Sequence, residues 1–145
     1  MRKAMFLGLF IGLVACQNQS QGEPEAGANE PVEQTEELKR QVMAVHDEVM
    51  PLMSPMGRMQ AQLREMAGSE RDSMPYLQAA SDLREAQEGM MDWMRNFKPV
   101  DEQEWTEAEK SQYLREELDK MLALKSFTDD AVQKADSLLA VKQPR

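Results

Sequence analysis

Leu38, Val42, Val45, Val49, Leu52, Met56, Met59, Leu63 and Met66 follow one another at alternating spacings of four and three. A row with that period lies on one side of a helix and nowhere else. It therefore dictates a long amphipathic helix whose apolar seam must be covered by other helices. Pro51 and Pro55 interrupt the segment, and each should cost about 3 kcal/mol or more inside a helix, because it removes a backbone donor. The seam nevertheless keeps its register across both, which predicts one kinked helix over residues 35–67 rather than two separate ones.

Two further seams follow. Tyr76, Ala80, Leu83, Gln87, Met90, Met94 and Phe97 predict a helix that starts near Met74-Pro75, where proline suits a first turn, and ends by Lys98-Pro99. Thr106 with Glu109 three residues later is a capping box. It opens a third helix with the row Leu114, Leu118, Met121, Lys125, Thr128, Val132, Ala135 and Leu139. Lys125 and Thr128 spoil that row, and Leu122, Leu124 and Phe127 offer a drifting alternative face. The helix is expected either to shift its contact side midway or to break near residues 126–129. Short connections make successive helices antiparallel neighbours. The expected fold is all-α: an antiparallel three-helix bundle over residues 35–145, or four helices if the first or third is broken.

The chain before the bundle reads as an address and a spacer. Arg2 and Lys3 precede an apolar run over residues 4–14, too short to serve as a spanning anchor. The run ends in Leu13-Val14-Ala15-Cys16, which resembles the lipobox of bacterial lipoproteins. The resemblance implies that residues 1–15 are a signal peptide cleaved before Cys16. It also implies a diacylglycerol on the Cys16 sulfur and an acyl chain on the new amino group. Each buried methylene of such chains contributes ~0.8 kcal/mol to anchoring. In enteric lipoproteins a residue other than Asp after the lipidated cysteine implies outer-membrane sorting, and Gln17 stands there. Residues 16–34 are rich in Gln, Asn, Gly, Pro and Glu, a composition that buries too little to offset chain entropy. As a flexible tether they would hold the domain about 20–25 Å off the membrane, facing the periplasm.

Charge narrows the partners. The chain has 17 Lys and Arg against 26 Asp and Glu. Loss of Arg2 and Lys3 with the signal leaves 15 against 26, a net charge of −11. Nucleic acid is not an expected partner, because phosphate contacts need clustered Lys and Arg. Close electrostatic adhesion to anionic lipid is disfavoured on the same ground. Glu85, Glu88 and Asp92 line up on the second helix, but such a row usually reads as a solvated face, since hard cations need more oxygens at fixed geometry.

Catalysis has few candidates to work with. His46 is the sole histidine, and lipidation consumes the sole cysteine, whereas acid–base and nucleophilic chemistry draw mostly on these two residue types. No Gly-rich phosphate loop, EF-hand or paired Glu-x-x-His pattern occurs. No enzyme and no cofactor are expected.

The unusual feature is methionine. Of 13 methionines in the chain, six fall between residues 43 and 66. Met43, His46, Met50 and Met53 form a row beside the first seam, and Met90-Met91-Asp92-Trp93-Met94 lies on the helix expected alongside. A methionine stripe at helical spacing is first of all adaptable core. The alternative is a soft-metal site for Cu(I) or Ag(I), with His46, Met43, Met50, Met90 and Met94 as ligands and Trp93 in cation–π contact. In residue types alone this set is similar to the small periplasmic copper/silver chaperones, which are β-barrels. A haem held by His46 and a methionine, as in periplasmic four-helix cytochromes b, ranks lower. Flexible Met-rich surfaces also suit protein partners, so a chaperone-like role is a further alternative, although the Leu-Thr-x-x-Gln repeats of helical envelope-stress chaperones are absent. The segments His46-Asp47-Glu48-Val49-Met50-Pro51 and Met90-Met91-Asp92-Trp93-Met94-x-x-Phe97-Lys98 together resemble small helical lipoproteins of Bacteroidota. That resemblance implies location and shape and no activity. The leading expectation is a lipid-anchored, non-enzymatic helical envelope protein that serves as an interaction or structural module for another envelope protein.

Overall fold

The computed structural model describes residues 30–69 and 71–141. The signal segment, Cys16 and the tether up to residue 29 lie outside the described residues. Four α-helical segments follow in order: α1 (Glu30–Val49), α2 (Met53–Ser69), α3 (Met74–Asn96) and α4 (Glu107–Ala140). Short 3-10 turns occupy Met50–Leu52 and Val100–Glu102, and no strand occurs among the described residues.

α1 and α2 form the single kinked rod that the unbroken seam predicts. Val49 (φ −84°, ψ −36°) and Met53 (φ −57°, ψ −49°) both stay right-handed helical, and the Met53 N–H donates to the Met50 carbonyl across the turn. The prolines sit where a missing donor costs least. Pro51 lies at the start of the 3-10 turn and Pro55 in the first turn of α2. α1 begins at Glu30, inside the segment read as tether, with Pro31 in its first turn.

Side-chain bridges fix the helix directions. The Thr35 and Ser111 hydroxyls meet at 2.8 Å and Glu48 reaches Lys125 at 3.5 Å, so α1 runs parallel to α4. Asp82 pairs with Lys134 at 2.7 Å and Trp93 with Glu117 at 2.8 Å, so α3 runs antiparallel to α4. The architecture is thus an up-down-up three-helix bundle whose first helix is jointed. α1 packs chiefly on α4 and α2 chiefly on α3. The kink is where the first rod changes partner.

The core follows that division. One lobe is close-packed and rich in alanine, with Ala79, Ala80, Ala86, Ala131 and Ala135 around Met56, Leu63 and Leu83. The other gathers Val42, Val45, Val49, Met90, Val100, Leu114 and Met121, flanked by the aromatic residues Trp93, Phe97, Trp105 and Tyr113. α3 and α4 approach closely between the lobes: a Cβ on Gly89 would stand 2.9 Å from Leu124 Cδ1.

α4 is unbroken for 34 residues, so the break considered near residues 126–129 does not occur. Its contact stripe runs through Leu114, Glu117, Met121, Leu124, Thr128, Ala131 and Ala135. Leu124 takes the inward place that the regular row gave to Lys125, which pairs with Glu48 and Asp129 at the surface. Thr128 is tolerated in the core because its hydroxyl donates to the Leu124 carbonyl at 2.8 Å. Among the described residues no helix is long and apolar enough to cross a membrane.

Candidate functional site

The chain turns from α3 to α4 through an extended Phe97 (φ −63°, ψ 131°), whose N–H still donates to the Trp93 carbonyl at 2.8 Å. Pro99 cannot continue the helix, and Val100 buries itself in the 3-10 turn that follows. Thr106 then caps α4 as predicted: its hydroxyl accepts from the Glu109 N–H while Glu109 Oε2 accepts from the Thr106 N–H at 2.8 Å. This hairpin sets the residues before and after the connection against one another.

A row of five rings results. His46 on α1 lies 5.7 Å from Trp93 on α3, centroid to centroid, and Trp93 lies 4.8 Å from Phe97. Phe97 stands 6.0 Å from Tyr113 on α4, and Tyr113 stands 5.1 Å from Trp105. All four ring pairs are tilted, by 34° to 57°, an arrangement that aromatic quadrupoles favour over face-to-face stacking. The polar edges are satisfied. Tyr113 Oη accepts the Lys98 N–H at 2.8 Å. Burial pushes the Tyr113 phenol up, against the lowering effect of that bond. The Trp93 indole N–H donates to Glu117 Oε2 at 2.8 Å, and Glu117 Oε1 accepts from Lys120 at 2.7 Å. Glu117 is only 5% exposed, so this carboxylate is tolerated because both oxygens are bonded. The same hydrogen bond holds the Lys120 ammonium above its ordinary value.

Two open hollows adjoin the row. One, of about 490 Å³, is a groove between α3 and α4 lined by Gly89, Asp92, Trp93, Asn96, Tyr113, Glu117, Lys120 and Leu124. The other, of about 260 Å³, is lined by Trp105, Glu109, Gln112, Tyr113 and Glu116. Tyr113 lines both, together with Trp93 in the first and Trp105 in the second.

The residues proposed from sequence for a soft-metal site come together in part. His46 and Trp93 converge, with His46 Nδ1 bonded to Asp47 at 2.9 Å. Met50, Met53, Met90 and Met94 belong to the same aromatic lobe, with Met90 fully buried in it. Met43, by contrast, is 38% exposed and stands outside that cluster, and Met91 is exposed as well. Cys16 lies outside the described residues. In the acidic row, Glu88 is bridged by Arg84 and Asp92 by Arg95, all on the exposed surface. Among the described residues no group of three or more His, Cys, Asp and Glu is placed to share a metal ion.

Sequence reasoning missed Trp105, Tyr113 and Glu117 as members of a site. A signal existed: Trp93/Phe97 and Tyr113/Glu117 are both i, i+4 pairs flanking one short connection. An antiparallel hairpin must bring them together. No protein-family model, curated protein or solved structure matches this chain.

Proposed function

We propose that this chain is a lipid-anchored, non-enzymatic protein of the bacterial envelope, held through Cys16 to the outer membrane and facing the periplasm. In this reading it works as an interaction module that docks a polypeptide along the α3–α4 groove. The observation that carries the docking is the aromatic row, of which Trp93, Tyr113 and Trp105 line two open hollows that share Tyr113. Aromatic residues supply large contact area at small entropic cost and dominate protein interfaces. An open groove suits an extended segment better than a small metabolite, which favours an enclosed pocket. The anchor rests on Leu13-Val14-Ala15-Cys16.

Photo-crosslinking in the producing cell tests the docking. A crosslinking side chain at Asn96, within the groove, should join a defined envelope protein, and the same group at the exposed Arg64 of α2 should not. The identified partner, purified, should bind the full chain and bind Tyr113→Ala more weakly. Equal crosslinking from both positions would sink the docking. The anchor is tested by the intact mass of the Cys16 peptide and by Cys16→Ala, which should release the protein from membranes.

A second reading has its own observation. The His46 ring rests 5.7 Å from Trp93 in a lobe that also holds Met50, Met90 and Met94. With Nδ1 bonded to Asp47, Nε2 would join thioethers around Cu(I) or Ag(I). An anaerobic Cu(I) competition titration decides it. Tight stoichiometric binding weakened about tenfold or more by His46→Ala, equal to about 1.4 kcal/mol, supports the site. Weak binding indifferent to His46 removes it.

A further inference from the structure

The hollow beside Trp105 has the chemistry of a cation site. It is lined by Trp105 and Tyr113, whose rings lie 5.1 Å apart and inclined at 57°, and by Glu109, Gln112 and Glu116. Both rings line the hollow, so a cation entering it meets aromatic surface as well as the carboxylates. Among the described residues the α4 cap engages Oε2 of Glu109, and Glu116 Oε1 accepts from the neutral Gln112. The Thr106 backbone N–H, as the largest cause, holds the Glu109 carboxyl below its ordinary range, so it is ionised at neutral pH.

The charge of the surrounding chain points the same way. Residues 101–120 carry eight Asp and Glu against three Lys and Arg, and Lys39 pairs with Asp101 at 2.6 Å, which still leaves four negative charges in excess. That concentration creates a local negative potential able to steer a cation to the rings.

We propose that this corner binds an arginine side chain of a partner polypeptide, so that the groove selects basic segments. The inference rests on the docking reading and specifies its occupant. A guanidinium stacks flat on an aromatic face and bonds carboxylates in its own plane, whereas an ammonium is a compact, strongly hydrated point charge. The corner brings aromatic rings and carboxylate acceptors together. The adjoining α3–α4 groove, which shares Tyr113, receives the neighbouring residues of the same segment.

The test uses the full chain in detergent, with a blocked hexa-arginine peptide as probe, read by tryptophan fluorescence and by calorimetry. Hexa-arginine should bind, hexa-lysine should bind more weakly, and hexa-glutamine should not bind. Glu116→Gln should weaken hexa-arginine about fivefold, and Trp105→Leu, which keeps apolar bulk, about five- to tenfold. Glu85→Gln makes the same change of charge at an exposed site on α3 and should weaken it by less than about twofold. Equal losses for Glu116→Gln and Glu85→Gln would mean diffuse attraction and overturn the site. So would hexa-lysine binding as tightly as hexa-arginine, or no binding up to roughly 1 mM. If hexa-arginine fails while crosslinking through Asn96 persists, the docking reading stands and this one falls. If both fail, both fall.

Discussion

Glu117 shows how single side chains hold the aromatic lobe together. It is the buried carboxylate among the described residues, and it joins the Trp93 indole N–H to the Lys120 ammonium. Glu117→Leu leaves the indole donor without its acceptor and should destabilise the fold by about 1–3 kcal/mol. Glu117→Gln keeps an acceptor and should cost less than about 1.5 kcal/mol. Urea unfolding followed by tryptophan fluorescence separates the two, and equal losses would mean that the charge, not the acceptor, matters. Asp82 carries the corresponding test in pH. Burial pushes its carboxyl up, but the bonds donated by Lys134 and Gln78 outweigh that and set it below its ordinary value of 3.8. A carboxyl lowered by folding adds stability that is complete above its unfolded value and is lost as pH falls through its folded one. The urea midpoint of the native chain should therefore drop on acidification below about pH 4. That of Asp82→Asn should start lower and drop less, and parallel curves would deny the link.

At the scale of elements, two helical glycines predict opposite outcomes. Gly57 lies on the exposed side of α2, where an added Cβ meets only Gln87 Nε2 at an ordinary 3.7 Å. Gly57→Ala should stabilise by about 0.5–1 kcal/mol, because the unfolded chain loses freedom and nothing clashes. That corresponds to a melting temperature about 2–5 °C higher by calorimetry. Gly89→Ala gains the same propensity but drives a Cβ to 2.9 Å from Leu124 Cδ1. Leu124 must shift at the α3–α4 contact, and the net gain should be smaller than at Gly57. The elements themselves were legible because hydrophobic period reports helix faces directly. Val42, Val49, Met56 and Leu63 are all buried where the first seam put them, and the Thr106–Glu109 box caps α4. The kink was legible from Pro51 and Pro55, but not that it transfers the rod from α4 to α3, since partner choice depends on all three helices at once. The aromatic row was hidden for a related reason. Period marks which way a residue faces on its own helix, whereas Trp105 and Tyr113 meet through a connection whose path no seam encodes. Gln87 illustrates the difference: it broke an apolar seam on paper. In the fold it accepts from Gln60 and donates to the Met53 carbonyl at 2.6 Å, at the kink itself.

Over the whole molecule, charge and stability pull against each other. The net charge of −9 opposes compaction through self-repulsion, and the excess is concentrated where α4 begins. The ion pairs offset little of this. Arg84–Glu88, Arg95–Asp92 and Lys120–Glu117 each expose at least one partner by 60% or more, and exposed pairs contribute about 0–1 kcal/mol. Repulsion should therefore outweigh attraction in the response to salt. Raising NaCl from about 0.01 M to about 0.15 M shortens the screening length from about 30 Å to about 8 Å. The urea midpoint should rise over that interval, because repulsion among distant carboxylates is screened more than attraction within close pairs. A falling midpoint would show instead that the surface pairs dominate. Binding of a basic peptide should respond with the opposite sign, weakening over the same salt interval as the steering field is screened. A protein whose folding improves and whose binding declines in one titration would be one whose acidic groups are placed for a partner at the expense of its own stability.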